Sequence, residues 1–338
     1  MPVNFYFFGD NPNSLSNKAE KYSLQLSARA YGYKQDDGKY INVLYPIIDK
    51  ISITLPINGE DDRKAINEQI MDLPKKEVGF KSVYTKGSRY KYAMQWLDRV
   101  TSEAVLIQAD PKNIKENYMR FEMNPDKLKA DGMGRFKEML KMELTVGNYT
   151  YKHLLDEGRV TRMDIAVDMI NVSTNNLILS GQGKGKTVNF FGLTGEVETI
   201  YLDKPSKKSS TKKVYNKLQQ LTDCEKRPLY NGTHLTRVEY THDGGKFSKL
   251  PTIQNPFKKF SIINPSKVPD GIESWVWELF LNSCRIIGID ASLALLPEDV
   301  RAKCSEAIDT AKSNTWRPEK LWEMWNTYLY SSGVITEE

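Results

Sequence analysis

The chain has 338 residues, of which 40% are hydrophobic and 27% charged, and its formal net charge is +5. This composition is ordinary for a globular protein of one large domain or two, and it excludes disordered and repetitive classes of chain. The mildly basic charge is compatible with a nucleic-acid partner but does not demonstrate one.

The cysteines argue against a disulfide framework and against a zinc site, because Cys224, Cys284 and Cys304 are odd in number and widely spaced. The first ten residues, MPVNFYFFGD, lack a basic region and carry only a short apolar run, so they do not predict a secretory signal. No stretch reaches the roughly 18 apolar residues of a membrane span. We therefore expect a cytoplasmic protein that does not associate with membranes.

Three regions follow from the order of the predicted elements. Residues 1–48 predict an irregular lead-in with one short strand, and residues 49–250 alternate strands with helices over 61–73 and 124–144. That order predicts an α+β domain with a mixed or antiparallel sheet core flanked by helices. Residues 271–338 predict a C-terminal helical subdomain.

Two expectations within these regions depend on particular side chains. The helix that begins at Asp61 is expected to end before Pro74, because proline removes a backbone donor and clashes with the preceding turn. The tryptophans of the C-terminal helices are expected to pack in the core rather than stack on bases. They are Trp275, Trp277, Trp316, Trp322 and Trp325.

Residues 161–169 alternate strictly between apolar and polar side chains, which predicts a half-buried strand. The apolar set is Met163, Ile165, Val167 and Met169, and the other set is Arg162, Asp164, Ala166 and Asp168. We expect the first set in the core and the second on an open face, with Asp164 and Asp168 close enough to share a cation.

Two further stretches, 119–124 and 236–241, repeat the order arginine, apolar residue, acid, apolar residue. If the three strands pair with their apolar faces on one side, Glu122, Asp164 and Glu239 gather on the other. Carboxylate oxygens are the ligands that Mg²⁺ and Mn²⁺ prefer. The alternative is that the acids form ordinary cross-strand ion pairs, each of small stabilising effect. The repetition favours the metal site.

Residues 180–187, SGQGKGKT, end like a phosphate-binding loop, but that motif requires glycine where this chain has Ser180. A glycine-rich turn between strands explains the segment better.

The most basic stretch of the chain precedes a candidate functional tyrosine. It contains Lys204, Lys207, Lys208, Lys212 and Lys213. It predicts either a solvated loop or a phosphate-binding element. If residues 211–218 form a strand, Lys213, Tyr215 and Lys217 share a face, and a phenol then lies between two ammonium groups, as an anionic phosphate would require.

Taken together, these stretches resemble the trans-acting replication initiators of small Gram-positive rolling-circle plasmids, the Rep_trans family. Residues 119–128 resemble that family's Arg-x-Glu-x-Asn-Pro-x-Lys-Leu block, and residues 161–168 its Thr-Arg-Leu-Asp-Leu-Ala-x-Asp strand. Residues 198–217 resemble the segment that carries the family's catalytic tyrosine in Ile-Tyr-Asn-Lys, and residues 237–239 resemble its Arg-Val-Glu strand. Where the family keeps Gly-x-Arg, this chain has Asp-Lys-Pro-Ser from position 203.

The resemblance implies an enzyme that nicks origin DNA through Tyr215. The products would be a 5′-phosphotyrosyl link and a 3′-OH that primes rolling-circle replication. Because the pKa of an unperturbed tyrosine is about 10, a neighbouring cation must favour the phenolate, a role that suits Lys213 and Lys217.

The same resemblance implies a metal-assisted reaction. Mg²⁺ or Mn²⁺ held by Glu122, Asp164 and Glu239, with Asp168 in support, would polarise the scissile phosphate. Arg162, which neighbours these acids, is counted with the catalytic residues.

The implied partners are origin DNA, supercoiled or extruded as a single-stranded hairpin, a second copy of the chain and a host DNA helicase. Residues 280–305 are predicted to recognise the origin sequence. Two alternatives remain open: a conjugative relaxase with the same chemistry, and a non-catalytic origin-binding repressor. Nickases that bind metal through His-hydrophobe-His are excluded, because no two of His153, His234 and His242 lie two residues apart.

Overall fold

The computed structural model describes residues 30–34, 40–44, 46–84, 87–144, 149–170, 172–181, 187–193, 195–202, 211–223, 234–265 and 267–336. The chain forms two compact units. Unit I consists of residues 1–46, 166–240 and 255–324, and unit II consists of residues 47–165, 241–254 and 325–338.

The regular elements alternate along the chain. The strands are β1 (Ala30–Lys34), β2 (Tyr40–Leu44), β3 (Ile47–Leu55), β4 (Phe80–Ser82), β5 (Tyr90–Leu97), β6 (Ala104–Pro111), β7 (Met119–Met123), β8 (Arg159–Ile170), β9 (Ile178–Gly181), β10 (Thr187–Phe191), β11 (Val197–Leu202), β12 (Lys212–Asn216), β13 (Leu235–His242) and β14 (Phe260–Ile263). The helices are α1 (Glu60–Lys76), α2 (Pro125–Met142), α3 (Tyr151–Glu157), α4 (Lys217–Asp223), α5 (Ser274–Ile287), α6 (Ile289–Ala294), α7 (Glu298–Thr315), α8 (Pro318–Trp322) and α9 (Trp325–Ser331).

The predicted α+β class is confirmed, because antiparallel strand pairs form the sheets and helices flank them. The predicted domain limits differ from the two units. Residues 271–338 are helical, but they divide between the units at Met324. The physical reason lies in the tryptophans: the Trp316 indole donates to the Phe257 carbonyl in unit I, and the Trp325 indole donates to the Leu250 carbonyl in unit II.

Unit II is built on a sheet in which β3, β7, β6, β5 and β4 are neighbours in that order, all antiparallel. Phe136 of α2 is fully buried against this sheet and anchors its apolar face. Its ring centroid lies 5.9 Å from that of Trp96, 6.1 Å from Phe121 and 6.2 Å from Tyr151. Aromatic pairs at these distances stabilise a core beyond the area that they bury.

Two sequence predictions for this part of the chain need correction. The helix α1 continues past Pro74 to Lys76, because the proline falls in its last turn and the Glu77 amide still donates to the Leu73 carbonyl at 2.9 Å. Ahead of β3, the described part of the lead-in forms two strands rather than one, because β1 and β2 pair as an antiparallel hairpin.

A buried acid ties β5 to α2 in unit II. The Asp98 carboxylate is fully buried and accepts hydrogen bonds from Arg135 at 2.6 and 2.9 Å. It also accepts from the Thr101 amide at 2.8 Å and from the Thr101 hydroxyl at 2.5 Å. The Arg135 hydrogen bond lowers the pKa of Asp98 well below its usual range, against the opposing effect of burial, and the Thr101 bonds add to the lowering.

Replacing Asp98 by asparagine is expected to lower the free energy of unfolding by about 2–3 kcal/mol, because a hydrogen-bonded charge pair is lost. A carboxyl whose pKa is depressed in the folded state stabilises the fold above its unfolded pKa of about 3.9 and loses that contribution as the pH falls below it. Urea denaturation at several pH values should therefore show the full difference near neutrality and a shrinking one in acid. A difference that stays constant down to acid pH would contradict this role.

In unit I, β10, β11, β12 and β13 form an antiparallel sheet in that order, with β8 next to β13. The hairpin of β1 and β2 joins this sheet through β2, which pairs with the end of β8. The strands β9 and β14 form a separate antiparallel pair against which α5 and α7 pack. The last two helices, α8 and α9, are short and separate. None of the described helices is both long and apolar enough to cross a bilayer.

Candidate active site

Both faces of β8 are buried over most of its length, so the prediction of a half-buried strand is wrong. Asp164, Ala166 and Asp168, expected on an open face, are buried, and Arg162 alone of that set is exposed. The acids tolerate burial because each is paired with an arginine. Asp164 and Asp168 also cannot share a cation, since four residues of extended chain span about 13 Å at roughly 3.3 Å per residue.

In unit II, Glu122 lies on the polar side of β7 among donors from β7 itself and from the neighbouring strand β3. Its carboxylate accepts from Arg120, from Lys50 at 2.6 Å and from the Ser52 hydroxyl at 2.8 Å. Burial raises the pKa of Glu122, but the hydrogen bond from Lys50 and the charge of Arg120 outweigh burial, so the pKa lies below its ordinary value. Glu122 is therefore an ionised oxygen donor that already has cationic partners.

Asp164, also in unit II, is held by Arg162 from its own strand. The guanidinium donates to the two carboxylate oxygens at 3.0 and 2.8 Å, and the Thr241 hydroxyl donates at 2.8 Å. Arg162 is half exposed whereas Asp164 is buried. The arginine therefore has an open side from which it could contact an anion.

In unit I, Asp168 forms a buried ion pair with Arg237 of β13. The guanidinium donates from Nε at 2.6 Å and from a terminal nitrogen at 2.7 Å, with side-chain exposures of 4% for Arg237 and 1% for Asp168. A two-pronged arrangement of this kind is among the strongest charged hydrogen bonds in proteins. Because the ion pair is buried, we infer a structural role for it. The sequence did not predict that Arg237 is the partner of Asp168.

Tyr215 of β12 lies on the same face of the unit I sheet as Lys213 and Glu239. The register pairs Lys213 with Glu239 and Tyr215 with Arg237, so alternation brings the three side chains together. The phenolic hydroxyl donates to Glu239 at 3.3 Å, the Lys213 ammonium donates to the other oxygen of Glu239 at 2.8 Å, and Lys213 lies 4.9 Å from the centre of the Tyr215 ring. A phenol, an acceptor for its proton and a cation are thus in mutual contact.

Lys217 does not follow the strand alternation that grouped it with Tyr215. The strand β12 ends at Asn216, and Lys217 begins α4. Its ammonium group is buried and donates to Gln220 at 2.9 Å. The prediction that Tyr215 lies between two lysines of one strand is therefore wrong, because the strand ends before Lys217 and the helix begins there.

The phenol opens onto a polar cavity rather than an apolar interior. Tyr215 itself is 8% exposed, and the cavity has a volume of about 270 Å³. Its lining is Glu198, Thr199, Tyr201, Lys213, Tyr215, Asn216, Gln219 and Gln220.

Tyr201 is a second phenol at this cavity, which the sequence interpretation did not single out as a reactive group. It pairs with Lys213 in the register of β11 and β12, and Thr199 pairs with Tyr215. The alternation of residues 197–202 was the signal that could have identified it. Tyr201 makes an edge contact with the Phe190 ring at 5.6 Å.

The described residues do not form the predicted metal centre. Among them, no group of three or more histidine, cysteine, aspartate or glutamate side chains is placed to hold an ion. Tyr215, Lys213, Glu239 and Asp168 belong to unit I, whereas Glu122, Asp164 and Arg162 belong to unit II. The carboxylate oxygens suit Mg²⁺, but each acid has a lysine or arginine partner where an ion would bind, so the paired acids do not fit an ion in this arrangement.

No protein-family model matches the chain, and no curated protein is significantly similar to it in sequence.

The lysines at 204, 207 and 208 lie outside the described residues, as do Gly183 and Gly185.

Proposed function

We propose that the chain is a site-specific DNA strand transferase that nicks origin DNA and starts rolling-circle replication. The observation that carries this proposal is the hydrogen bond from the Tyr215 hydroxyl to Glu239, with Lys213 bonded to the same carboxylate and lying over the ring. A nucleophile in contact with a base that is held by a third group is the arrangement that activates a weak nucleophile.

The chemistry follows from these contacts. Glu239 accepts the phenolic proton, and Lys213 stabilises the negative charge on the phenolate oxygen. That oxygen attacks the scissile phosphorus, a bond forms between Oη and phosphorus, and the bond from phosphorus to O3′ breaks. The O3′ leaving group takes a proton from water and becomes a 3′-OH. One phosphodiester replaces another, so no nucleotide cofactor is consumed.

A direct test uses a negatively supercoiled plasmid that carries the DNA adjoining the gene. We expect nicked circles with protein attached to the 5′ end, and phosphotyrosine after acid hydrolysis of the adduct. Nicks with a free 5′-phosphate would show that water, rather than a tyrosine, attacks the phosphate. Binding without any nick would favour the origin-binding repressor. Replication of the plasmid in cells that make the protein separates an initiator from a conjugative relaxase.

Metal dependence is a separate prediction of this proposal. We expect chelation with EDTA to lower the nicking rate at least about a hundredfold, because an ion that enters with the DNA phosphate, rather than one held by the paired acids, would stabilise charge on the transferred phosphate. Added Mg²⁺ or Mn²⁺ should restore the rate. Retention of DNA in a gel-shift assay with EDTA is the control for folding and binding, and undiminished nicking after exhaustive chelation would remove the metal from the mechanism.

The proposed partners are origin DNA, a second copy of the chain and a host helicase that enters at the nick. The mild positive charge of the chain is compatible with the first of these.

A further inference from the structure

Helix α5 in unit I has two apolar faces. The inward face contributes Trp277, Phe280, Leu281 and Cys284 to a buried cluster. That cluster continues into the β9 and β14 pair through Ile178 and Ile263, and into α7 through Cys304 and Ile308. The inward face therefore accounts for the attachment of α5 to its unit.

The outward face of α5 is exposed. Trp275 is 61% exposed, Leu279 is 61% exposed and Ile286 is 75% exposed. With the exposed Asn282, these residues are spaced by four, three and four, which places them in one stripe directly opposite the buried set. Trp275 was expected in the core, and its exposure is a correction. Large apolar side chains that share one exposed stripe indicate a binding surface.

The stripe is symmetric about its own centre, because spacings of four, three and four read the same in both directions. A second copy of α5 laid antiparallel on the first therefore presents a matching seam, with Trp275 opposite Ile286 and Leu279 opposite Asn282. Alternating spacings of three and four are those of a two-helix seam. A patch that complements itself across a two-fold axis is the commonest basis of a homodimer.

Charge on one flank of the stripe is complementary in the same way. Glu278 and Arg285 lie seven residues apart, so both border the seam on the same side. In an antiparallel pair, this flank of one helix meets the same flank of the other. Glu278 of each copy then faces Arg285 of the partner copy, which gives two equivalent ion pairs.

Arg285 also lacks a full set of partners in the part of the chain that the structure describes. It donates to Asn282 at 2.7 Å, but its buried Nε atom has no hydrogen-bond partner among the described residues. Burial lowers the pKa of Arg285, and the neighbouring Cys284 thiol opposes that lowering. The terminal nitrogen of Arg285 bonds to Asn282, a residue of the stripe, so the guanidinium group reaches the edge where a partner's carboxylate could bind it.

We propose that two copies of the chain associate through the outward face of α5, with the helices antiparallel about a two-fold axis between Phe280 and Leu281. This association does not depend on the nicking chemistry, so the dimer and the nicking reaction can be tested independently. The occupant of the stripe is a second copy because spacing and flanking charge both complement themselves.

Sedimentation equilibrium of the full chain tests this association. We expect the wild-type chain to be a dimer. Glu278→Arg or Arg285→Glu should raise the dissociation constant at least tenfold, because either change replaces both intermolecular ion pairs of the dimer by pairs of like charge. The double variant Glu278→Arg with Arg285→Glu should restore the wild-type dissociation constant. Glu306→Arg, on the exposed side of α7, should leave it unchanged.

A variant outside the ion pair covers the possibility that Arg285→Glu disturbs the fold. Leu279→Lys changes a solvent-exposed side chain, so it should preserve the circular dichroism spectrum and thermal midpoint while giving a monomer. A wild-type chain that stays monomeric overturns the proposal, as does a Leu279→Lys chain that dimerises normally. Failure of the folded double variant to recover dimerisation overturns it as well.

Discussion

Replacing Tyr215 by phenylalanine is expected to abolish DNA nicking, lowering the rate by at least about a thousandfold while origin binding persists. The substitution removes one oxygen, the atom that donates to Glu239 at 3.3 Å and that would form the bond to phosphorus. The ring remains to pack beneath Lys213, which lies 4.9 Å from its centre. Loss of activity with retained binding therefore reports the missing nucleophile rather than a collapsed site.

Tyr201→Phe is the matched control for this prediction. Tyr201 lines the same cavity, lies on the neighbouring strand and loses the same single oxygen. We expect it to retain nicking within a few-fold of wild type, because its hydroxyl is not the proposed attacking group. If Tyr201→Phe is inactive and Tyr215→Phe is active, the nucleophile is Tyr201. If both variants nick at wild-type rate, neither phenol attacks, and the tyrosine mechanism falls.

Glu239→Gln separates the roles within the cluster. It keeps the shape of the side chain but removes its charge and most of its basicity, so the phenolic proton loses its acceptor and Lys213 loses its ion pair. A pH profile of the nicking rate is informative here, because a group that acts as a base imposes an acidic limb on the profile. Loss of that limb in the Gln variant would assign the base, whereas an unchanged limb would assign it elsewhere.

The sequence predicted side-chain direction better than burial. Alternation placed Lys213 and Tyr215 on one face, because the period of a strand is set by the backbone alone. It did not predict that Glu239 faces them, since that depends on the register between two strands. It failed to predict that Asp164 and Asp168 are buried, since burial depends on which residues cover the strand. An acid on a covered face needs a partner, and Arg237, which supplies one, is 69 residues from Asp168 in sequence.

Element ends were harder to predict than element types. Lys217 continues the alternation of β12 in sequence, but α4 begins there and its ammonium bonds to Gln220 within the helix. The hairpin of β1 and β2 went unpredicted because its glycine, asparagine and tyrosine residues carry little apolar periodicity. For Trp275, residue type favoured the core, yet helical position relative to Trp277 decided that it faces outward.

The second large effect is expected in unit I, where Arg237→Met should lower the free energy of unfolding by about 3–5 kcal/mol. The change removes the two donors that hold the Asp168 carboxylate at 2.6 and 2.7 Å, while leaving that carboxylate 1% exposed. Water cannot reach it well enough to replace the lost hydrogen bonds, so an uncompensated charge stays buried. Urea denaturation of the variant and the wild-type chain measures the loss.

Lys91→Met is the control for the loss of an ion pair as such. Lys91 pairs with Asp110 at 2.9 Å, but its side chain is 54% exposed, so the change should cost far less stability than Arg237→Met. The double variant Asp168→Leu with Arg237→Met should recover most of the stability that Arg237→Met loses, because apolar side chains in place of a buried ion pair are often neutral. If Arg237→Met proved as mild as Lys91→Met, the Asp168 carboxylate would have to be solvated or bound by another cation. That outcome would return Asp168 to the set of metal ligands, whereas a large loss assigns it to the framework that holds β13, and with it Glu239, in place.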